Sequence, residues 1–253
     1  MADRHLISRV RRETRRRTLT VASVEPRGDI LLRIWFVGDD LAGFVSDAPD
    51  DHVKLFLPDG EGGVVARDYT PRRFDAAAQT LAIEFALHGE DEDAGPATRW
   101  AMHAQPGDTL EIGGPRGSTI VADDFDWYLL IGDETALPAI GRRLDELRPE
   151  AEVIVLASIA HGSVRPELPG RARLTVQWLD RTSLQHAGAE FLDALDAMSL
   201  PDGEGFVWIA AEAAAARAVR TFVAETRGHP KSWIKASGYW VAGEMGAHTK
   251  IEE

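Results

Sequence analysis

The sequence predicts a β + α/β protein, a six-stranded antiparallel barrel followed by a doubly wound parallel sheet. A length of 253 residues is too great for one small core and suits two domains. The first half has short alternating runs between Gly and Pro turns, which is typical of a small barrel. In the second half strands alternate with helices, which indicates a parallel sheet. The predicted parts are a basic arm (1–17), a barrel domain (18–123) and an α/β domain with a C-terminal tail (124–253).

The barrel strands follow from period-two alternation that ends at turn residues. Gly95-Pro96 before a helical run and Pro106-Gly107 after it are start and stop signals, so one helix is predicted at Ala97–Gln105. The predicted strands are Arg17–Val24, Asp29–Val37, His52–Leu57, Thr80–Leu87 and Thr109–Ile112, and the string Arg67–Arg73 is interpreted as part of a further strand.

The α/β elements begin with Trp127–Ile131, a nearly all-apolar run of the kind buried on both faces of a sheet. Further strands are predicted at Glu152–Ala157, Arg173–Trp178, Gly205–Ala210 and Ser232–Ala236. The helices between them are predicted at Thr135–Leu147, Gln185–Ala197 and Ala213–Arg227.

Composition excludes several kinds of site. The chain has no cysteine, so disulfides, zinc–thiolate sites, thiolate nucleophiles and cysteine-held iron–sulfur clusters are absent. The histidines show no metal-ligand spacing, and no protein metal site is expected. No apolar run reaches the roughly 18 residues of a membrane span, and the N-terminus lacks the pattern of a secretory signal. We therefore expect a cytoplasmic protein with no membrane partner.

Charge is unevenly distributed. Residues 1–17 hold seven arginines against Asp3 and Glu13, a local charge of +5, so a total of −13 leaves −18 for the remaining 236 residues. A body that acidic is a poor match for phosphate backbones, which excludes a general nucleic-acid binder. The basic arm is interpreted as a solvated, partly ordered tail, with contact to an anionic partner as the alternative.

The string Arg67-Asp68-Tyr69-Thr70 joins an arginine, an aromatic ring and a hydroxyl within four positions. A guanidinium pairs with pyrophosphate, and a ring packs on an isoalloxazine. Strand alternation places Arg67, Tyr69 and Pro71 on one face and Thr70 on the other. The alternative is an ordinary barrel strand with a surface arginine and a half-buried tyrosine.

Two turns follow strands of the predicted parallel sheet, where such sheets bind nucleotides. The first is the segment 132–138, Gly-Asp-Glu-Thr-Ala-Leu-Pro, which lacks the GxGxxG fingerprint. Glu212 follows the strand Gly205–Ala210 in the same way. Its carboxylate suits a hydrogen bond from a ribose hydroxyl or a nicotinamide amide. It equally suits the start of a helix, where the helix dipole favours a negative charge.

A series of strings in chain order, which also includes Pro106-Gly107-Asp108, carries a family resemblance. Arg67–Thr70 resembles the R-x-Y-[ST] flavin motif of the ferredoxin-reductase-like superfamily. The strings Phe85–Gly89, Gly95–Ala101, Gly114–Ser118, Gly132–Ala139 and Lys235–Trp240 resemble the siderophore-interacting proteins, which are FAD-containing ferric-siderophore reductases. The matches extend over residues 18–250, nearly the whole chain.

The resemblance implies tightly but non-covalently bound FAD and electron supply by NADPH or NADH. It assigns to FAD Arg67, Tyr69 and Thr70, of which the last two surround flavin N5, together with His88, Gly95, Ala97 and Thr98. It assigns to NAD(P)H the residues Gly132, Asp133, Glu134, Thr135, Pro138 and Glu212. Without the resemblance, His88 is interpreted as an ordinary barrel histidine. The alternative for Trp100, which lies in the string Gly95–Ala101, is a core residue. No acid–base residue is required, because the cofactor carries the chemistry.

The implied substrate is a ferric siderophore, often anionic, so a local basic patch is expected. Lys235 is the first candidate, with Arg73 and Lys250 as further ones, and solvated surface charge is the alternative for each. Recognition of a 2′-phosphate by His161 or Arg165 would favour NADPH over NADH as the electron donor. We also expect a monomer. Alternatives are a ferredoxin-coupled reductase, a general flavin-dependent diaphorase and a non-catalytic siderophore- or flavin-binding protein.

Overall fold

The computed structural model describes residues 4–87, 94–168, 170–181, 188–243 and 249–251. It divides into two compact units. The first unit holds Met1–Ala122 with Gly141–Glu146, and the second holds Asp123–Ile140 with Leu147–Glu253. Within the described part of the chain, no helix has both the length and the apolarity that crossing a membrane requires.

The first unit contains a seven-stranded antiparallel sheet in the order β5-β4-β8-β2-β3-β7-β6. Its strands are β2 (Arg16–Arg27), β3 (Leu31–Val37), β4 (Val53–Pro58), β5 (Val64–Tyr69), β6 (Pro71–Asp75), β7 (Thr80–Ala86) and β8 (Thr109–Gly113). Helix α1 spans Pro96–His103. The antiparallel β class is confirmed, with seven strands instead of six. The predicted strand 67–73 is broken at Thr70 into β5 and β6, which lie at opposite ends of the sheet order.

The N-terminal arm is not simply a tail. Its residues Ile7–Arg11 form β1, which pairs antiparallel with β9 (Gly117–Val121) as a separate two-stranded sheet. Arg12 and Arg15 reach Asp47 and Asp40. The prediction of a solvated tail is therefore wrong for this segment, because backbone pairing and ion pairs tie it down.

The core of the first unit comes from the inward positions of the alternating strands. Leu19 and Val21 on β2 face inward with Ile34 and Phe36 on β3, and all four are at most 2% exposed. Trp100 of α1 stacks near Phe36, with ring centroids 6.2 Å apart. Trp100 is thus a core-packing residue, which is the alternative that the sequence left open.

The second unit contains a six-stranded sheet in the order β12-β11-β10-β13-β14-β15. The strands are β10 (Trp127–Asp133), β11 (Glu152–Ala160), β12 (Arg173–Arg181), β13 (Gly205–Glu212), β14 (Ile234–Trp240) and β15 (Thr249–Lys250). The first five are parallel, and β15 is antiparallel to β14. Helices are α2 (Leu137–Glu146), α3 (Ala189–Ala197) and α4 (Ala213–Thr221), the last continued by a π-helical turn at Phe222–Thr226.

The central strands β10 and β13 are buried at every position. This agrees with the continuous apolar runs from which they were predicted. The strand predicted at Ser232–Ala236 corresponds to β14, which continues to Trp240, four residues beyond the predicted end. A parallel sheet with this order brings the carboxyl ends of β10, β13 and β14 together at one edge.

We expect His229 to make the stability of the second unit depend on pH. Its ring lies between Trp127 and Trp233, and its Nε2–H donates to the Gly205 carbonyl at 3.0 Å. Burial lowers the pKa of His229 below its usual 6.5. The unfolded chain therefore binds this proton first as pH falls. The free energy of unfolding should decrease below about pH 6.5, by at most about 1.4 kcal/mol per pH unit.

Urea unfolding followed by circular dichroism between pH 5 and 8 measures this slope. His229→Gln, which keeps a donor without a proton that titrates in this range, should flatten it. His52→Gln, at an exposed position, is the matched control. An unchanged slope in His229→Gln would contradict the assignment.

Candidate functional site

The flavin-motif residues lie at the end of β5. The Arg67 guanidinium donates to the Ala66 carbonyl at 2.9 Å, and no carboxylate of the described residues forms an ion pair with it. The Tyr69 ring packs on Phe85 with centroids 4.6 Å apart. Burial raises the pKa of the Tyr69 phenol, so it stays neutral. The motif thus presents an available cation next to a fixed aromatic ring.

The residues after Tyr69 differ from simple alternation. Thr70 is buried between the two strands, and Pro71 begins β6 instead of continuing β5. Pro71 therefore does not share a strand face with Arg67 and Tyr69, which corrects the predicted pattern. The break in the strand explains it, because side-chain alternation applies only within one continuous strand.

Arg73 is not an independent cation. Its guanidinium lies 3.1 Å from the Asp145 carboxylate, which also pairs with Arg72 at 2.7 Å. Arg72 is 3% exposed and lies 3.7 Å from Glu84. Arg73 therefore belongs to a structural ion-pair chain, which weakens it as a siderophore contact. Nothing in the sequence around Arg72 indicated a buried charge.

The first amides of α1 have no side-chain cap among the residues that the structure describes. Gly95 is the N-cap and supplies no side chain, and a Cβ placed there would meet none of the described atoms within 4 Å. The first α-helical hydrogen bond runs from the Arg99 amide to the Gly95 carbonyl at 2.9 Å. The amides of Ala97 and Thr98 come before this bond and therefore have no hydrogen-bond partner within the helix. A phosphate site at a helix start requires amides of this kind.

The Thr98 hydroxyl is committed elsewhere. Oγ1 donates to the Ala86 carbonyl at 3.2 Å, and the residue is buried. The hydroxyl therefore links α1 to the end of β7, which corrects its prediction as a phosphate donor. His88 lies outside the described residues.

The available guanidinium of Arg67, the ring of Tyr69 and the uncapped start of α1 are the groups that FAD requires. The cation and the two amides match a pyrophosphate, and the ring matches an isoalloxazine. The chain's own residues therefore fit this cofactor.

Asp133 is the central residue at the edge of the second unit. Its Oδ1 accepts hydrogen bonds from the Thr135 amide at 3.0 Å and the Thr135 hydroxyl at 2.5 Å. Its Oδ2 accepts from the Glu212 amide at 3.0 Å and from Trp240 Nε1 at 2.8 Å. Burial and the neighbouring Glu134 raise the pKa of Asp133, and these hydrogen bonds oppose the shift.

Glu134 is fully engaged by an arginine. Arg181, at the end of β12, donates to both of its carboxylate oxygens at 2.8 and 2.5 Å. Burial lowers the pKa of Arg181, but hydrogen bonding and the charge of Glu134 outweigh it, so the net shift is upward. Glu134 is therefore an internal ion-pair partner, which corrects its prediction as a direct nucleotide ligand. Arg181 was missed, because 46 residues separate the two in sequence.

Glu212 is the N-cap of α4. Its Oε2 accepts from the amides of Ala214 and Ala215 at 2.6 and 3.0 Å, and Oε1 accepts from Ala242 at 3.3 Å. Of the two roles open from sequence, the structure shows the helix-start carboxylate.

The remaining turn residues set the backbone. A Cβ on Gly132 would lie 2.4 Å from the Ala136 Cβ and 2.7 Å from the Ala210 carbonyl, so this position requires glycine. Pro138 is the second residue of α2, where the missing amide hydrogen costs nothing. Gly132, Asp133 and Thr135 thus form one closely packed turn.

The basic candidates occupy different places. Lys235 lies on β14 in register with Trp208 and is half-buried. Lys250 is on β15, with its backbone alone described. His161 and Arg165 both face Asp180, at 3.8 and 3.9 Å. A carboxylate between these two side chains weakens the expectation that they bind a 2′-phosphate.

Comparison with known proteins decides the family. The profile described as "Siderophore-interacting protein" matches residues 125–243, and "Siderophore-interacting FAD-binding domain" matches residues 60–119. An Escherichia coli protein named NADPH-dependent ferric-chelate reductase is 35% identical over 92% of this chain and 96% of its own length. The chain belongs to the siderophore-interacting protein family.

Two further relatives cover similar lengths. A Vibrio cholerae protein named ferric vibriobactin reductase ViuB is 27% identical, over 85% of each chain. The crystal structure of a siderophore utilization protein from T. fusca superposes with a TM-score of 0.86 and 34% identity, covering 96% of this chain and 98% of that one. The fold class and the family resemblance predicted from the sequence are confirmed.

We expect Glu212→Ala to lower the free energy of unfolding by about 1 kcal/mol, because α4 loses its N-cap. Glu212→Gln is the matched variant, since its amide oxygen still accepts from the two helix amides. Chemical unfolding of both variants measures the difference. Equal stability of Glu212→Ala and the unmodified protein would contradict the capping role. A raised KM for NADPH in Glu212→Gln would instead indicate direct nucleotide contact.

Proposed function

We propose that this chain is an FAD-dependent ferric-siderophore reductase that takes its electrons from NADPH. The observation that carries the proposal is the match, over nearly its whole length, to a protein named NADPH-dependent ferric-chelate reductase. The geometry agrees with it, because the groups around Arg67 and α1 suit FAD and the edge of the parallel sheet suits a nucleotide.

FAD belongs to the proposed barrel domain, residues 18–123. Arg67 and the amides of Ala97 and Thr98 bind the pyrophosphate, Gly95 leaves room for it, and Tyr69 and Thr70 face the isoalloxazine. His88 completes this set as a proposed contact. The chemistry that bound FAD supplies is to accept a hydride from NADPH and to pass electrons singly to Fe(III). The protein's part is to bind, orient and shield these reactants.

NADPH belongs to the α/β domain, residues 124–253. The side chains of Asp133, Glu134 and Glu212 are occupied by internal hydrogen bonds. We therefore assign nucleotide binding to the backbone of Gly132–Thr135 and the start of α2 near Pro138, with the three carboxylates holding that backbone in place. Open parallel sheets bind nucleotides at this position.

The substrate is a ferric siderophore, and the product is Fe(II), which oxygen-rich chelators hold far more weakly than Fe(III). Lys235 is the proposed anion contact, and Lys250, whose backbone on β15 pairs with Ser237 of β14, is a second candidate. Arg73 is a weaker contact, because Asp145 already balances its charge. We place the reaction in the cytoplasm and expect a monomer.

The function is tested by anaerobic stopped-flow of the FAD-loaded protein. NADPH should bleach the flavin absorbance, and a ferric siderophore should restore it while a ferrous chelator reports Fe(II). Bleaching of the flavin by NADH or by reduced ferredoxin, and not by NADPH, would show that the electron donor is not NADPH. Ligand binding without Fe(II) release would identify a non-catalytic siderophore-binding protein and would overturn the proposal.

Arg67→Ala should weaken FAD binding about tenfold or more, because a charge-assisted hydrogen bond to pyrophosphate contributes roughly 1.5–3 kcal/mol. The measurements are the flavin-to-protein absorbance ratio after purification and the Kd for FAD. Arg9→Ala, which removes an exposed arginine from β1, is the matched control and should retain FAD. Unchanged FAD affinity in Arg67→Ala would contradict the assignment.

A further inference from the structure

Trp240 reaches over the end of a neighbouring strand. It is the last residue of β14, whereas Asp133 is the last residue of β10, and β13 lies between these two strands. Trp240 Nε1 nevertheless donates to Asp133 Oδ2 at 2.8 Å. The same oxygen accepts from the amide of Glu212, the last residue of β13. The indole therefore lies across the carboxyl end of β13.

Asp133 holds this arrangement rigidly. The side chain is buried, and each of its oxygens accepts from two donors, so the group works as an acceptor only. An asparagine of the same shape would direct an N–H₂ group at two of these donors. The carboxylate thus fixes the direction of the indole N–H, and with it the plane of the ring.

The indole lies where a parallel sheet binds its ligand. Nucleotides bind outside the carboxyl ends of such strands, and a half-buried aromatic ring there offers a face on which a planar base can stack. The Asp133 oxygens have no accepting position left for a ribose or amide. A direct ligand role for Asp133 is therefore less well supported than an indirect one.

We propose that Asp133 is a positioning residue for the donor nucleotide, which holds the Trp240 indole across the end of β13 as a stacking surface for one of the planar rings of NADPH. This inference rests on the proposed function. It deepens that function by naming a binding residue, Trp240, and a residue that acts through it.

The test compares Asp133→Asn, Trp240→Phe and the double variant with the FAD-loaded unmodified protein. Trp240→Phe removes the N–H donor and reduces the ring surface. Trp178→Phe, on the edge strand β12, is the matched control. We measure KM and kcat for NADPH in ferric-chelate reduction, and the Kd of NADP⁺ by calorimetry, which requires no turnover. Thermal unfolding of each variant is followed in parallel.

We expect Asp133→Asn to raise KM and Kd about tenfold and Trp240→Phe to raise them several-fold, with kcat changed less than twofold. The double variant should bind NADP⁺ no more weakly than Asp133→Asn alone, because both substitutions break the same hydrogen bond between Trp240 and Asp133. Trp178→Phe should match the unmodified protein.

Two outcomes would overturn the inference while leaving the function intact. One is a lowered melting temperature with unchanged KM and Kd, which identifies a purely structural role. The other is fully additive effects of the two substitutions. Failure of the unmodified protein to bind NADP⁺ or to oxidise NADPH would overturn the inference together with the donor half of the proposed function. If Asp133→Asn does not fold, Trp240→Phe alone still decides, because unchanged nucleotide binding in it overturns the stacking role.

Discussion

A buried carboxylate must find hydrogen-bond donors for both of its oxygens, and this requirement shapes the edge of the second unit where the parallel strands end. Asp133, 2% exposed, draws in the turn that follows β10, the last amide of β13 and the indole that ends β14. Leaving one such acceptor unsatisfied costs about 1–3 kcal/mol or more for a charged group. The three strand ends are therefore held in one arrangement by a single side chain.

The same constraint reassigns the other acidic residues of this edge. Glu134 is balanced by Arg181, and Glu212 by the first amides of α4. Carboxylates used in this way are unsuited to bind a polyanionic nucleotide directly. They nevertheless shape the proposed nucleotide site, because they fix the backbone next to Gly132, where a side chain would meet Ala136 and the Ala210 carbonyl.

The sequence was sufficient for the fold class and for the positions of most strands and helices along the chain, because these depend on local periodicity and turn residues. It was insufficient for the partners of the charged residues. The pairs Glu134 with Arg181 and Arg72 with Asp145 join positions far apart in sequence, and only the folded chain brings them together. The break at Thr70 was missed for a related reason, since two consecutive strands that leave in different directions look like one alternating run.

The internal use of arginine limits where an anionic ferric chelate finds positive charge. Arg73, Arg148, Arg165 and Arg181 each face a carboxylate. Screening at physiological ionic strength reduces the influence of charges more than about 8 Å away, so the net charge of −13 repels the substrate less than the total suggests. Attraction must come from a few cations within that distance. Lys235 is the proposed contact, and the exposed Lys231 lies four residues before it, at the turn that leads into β14.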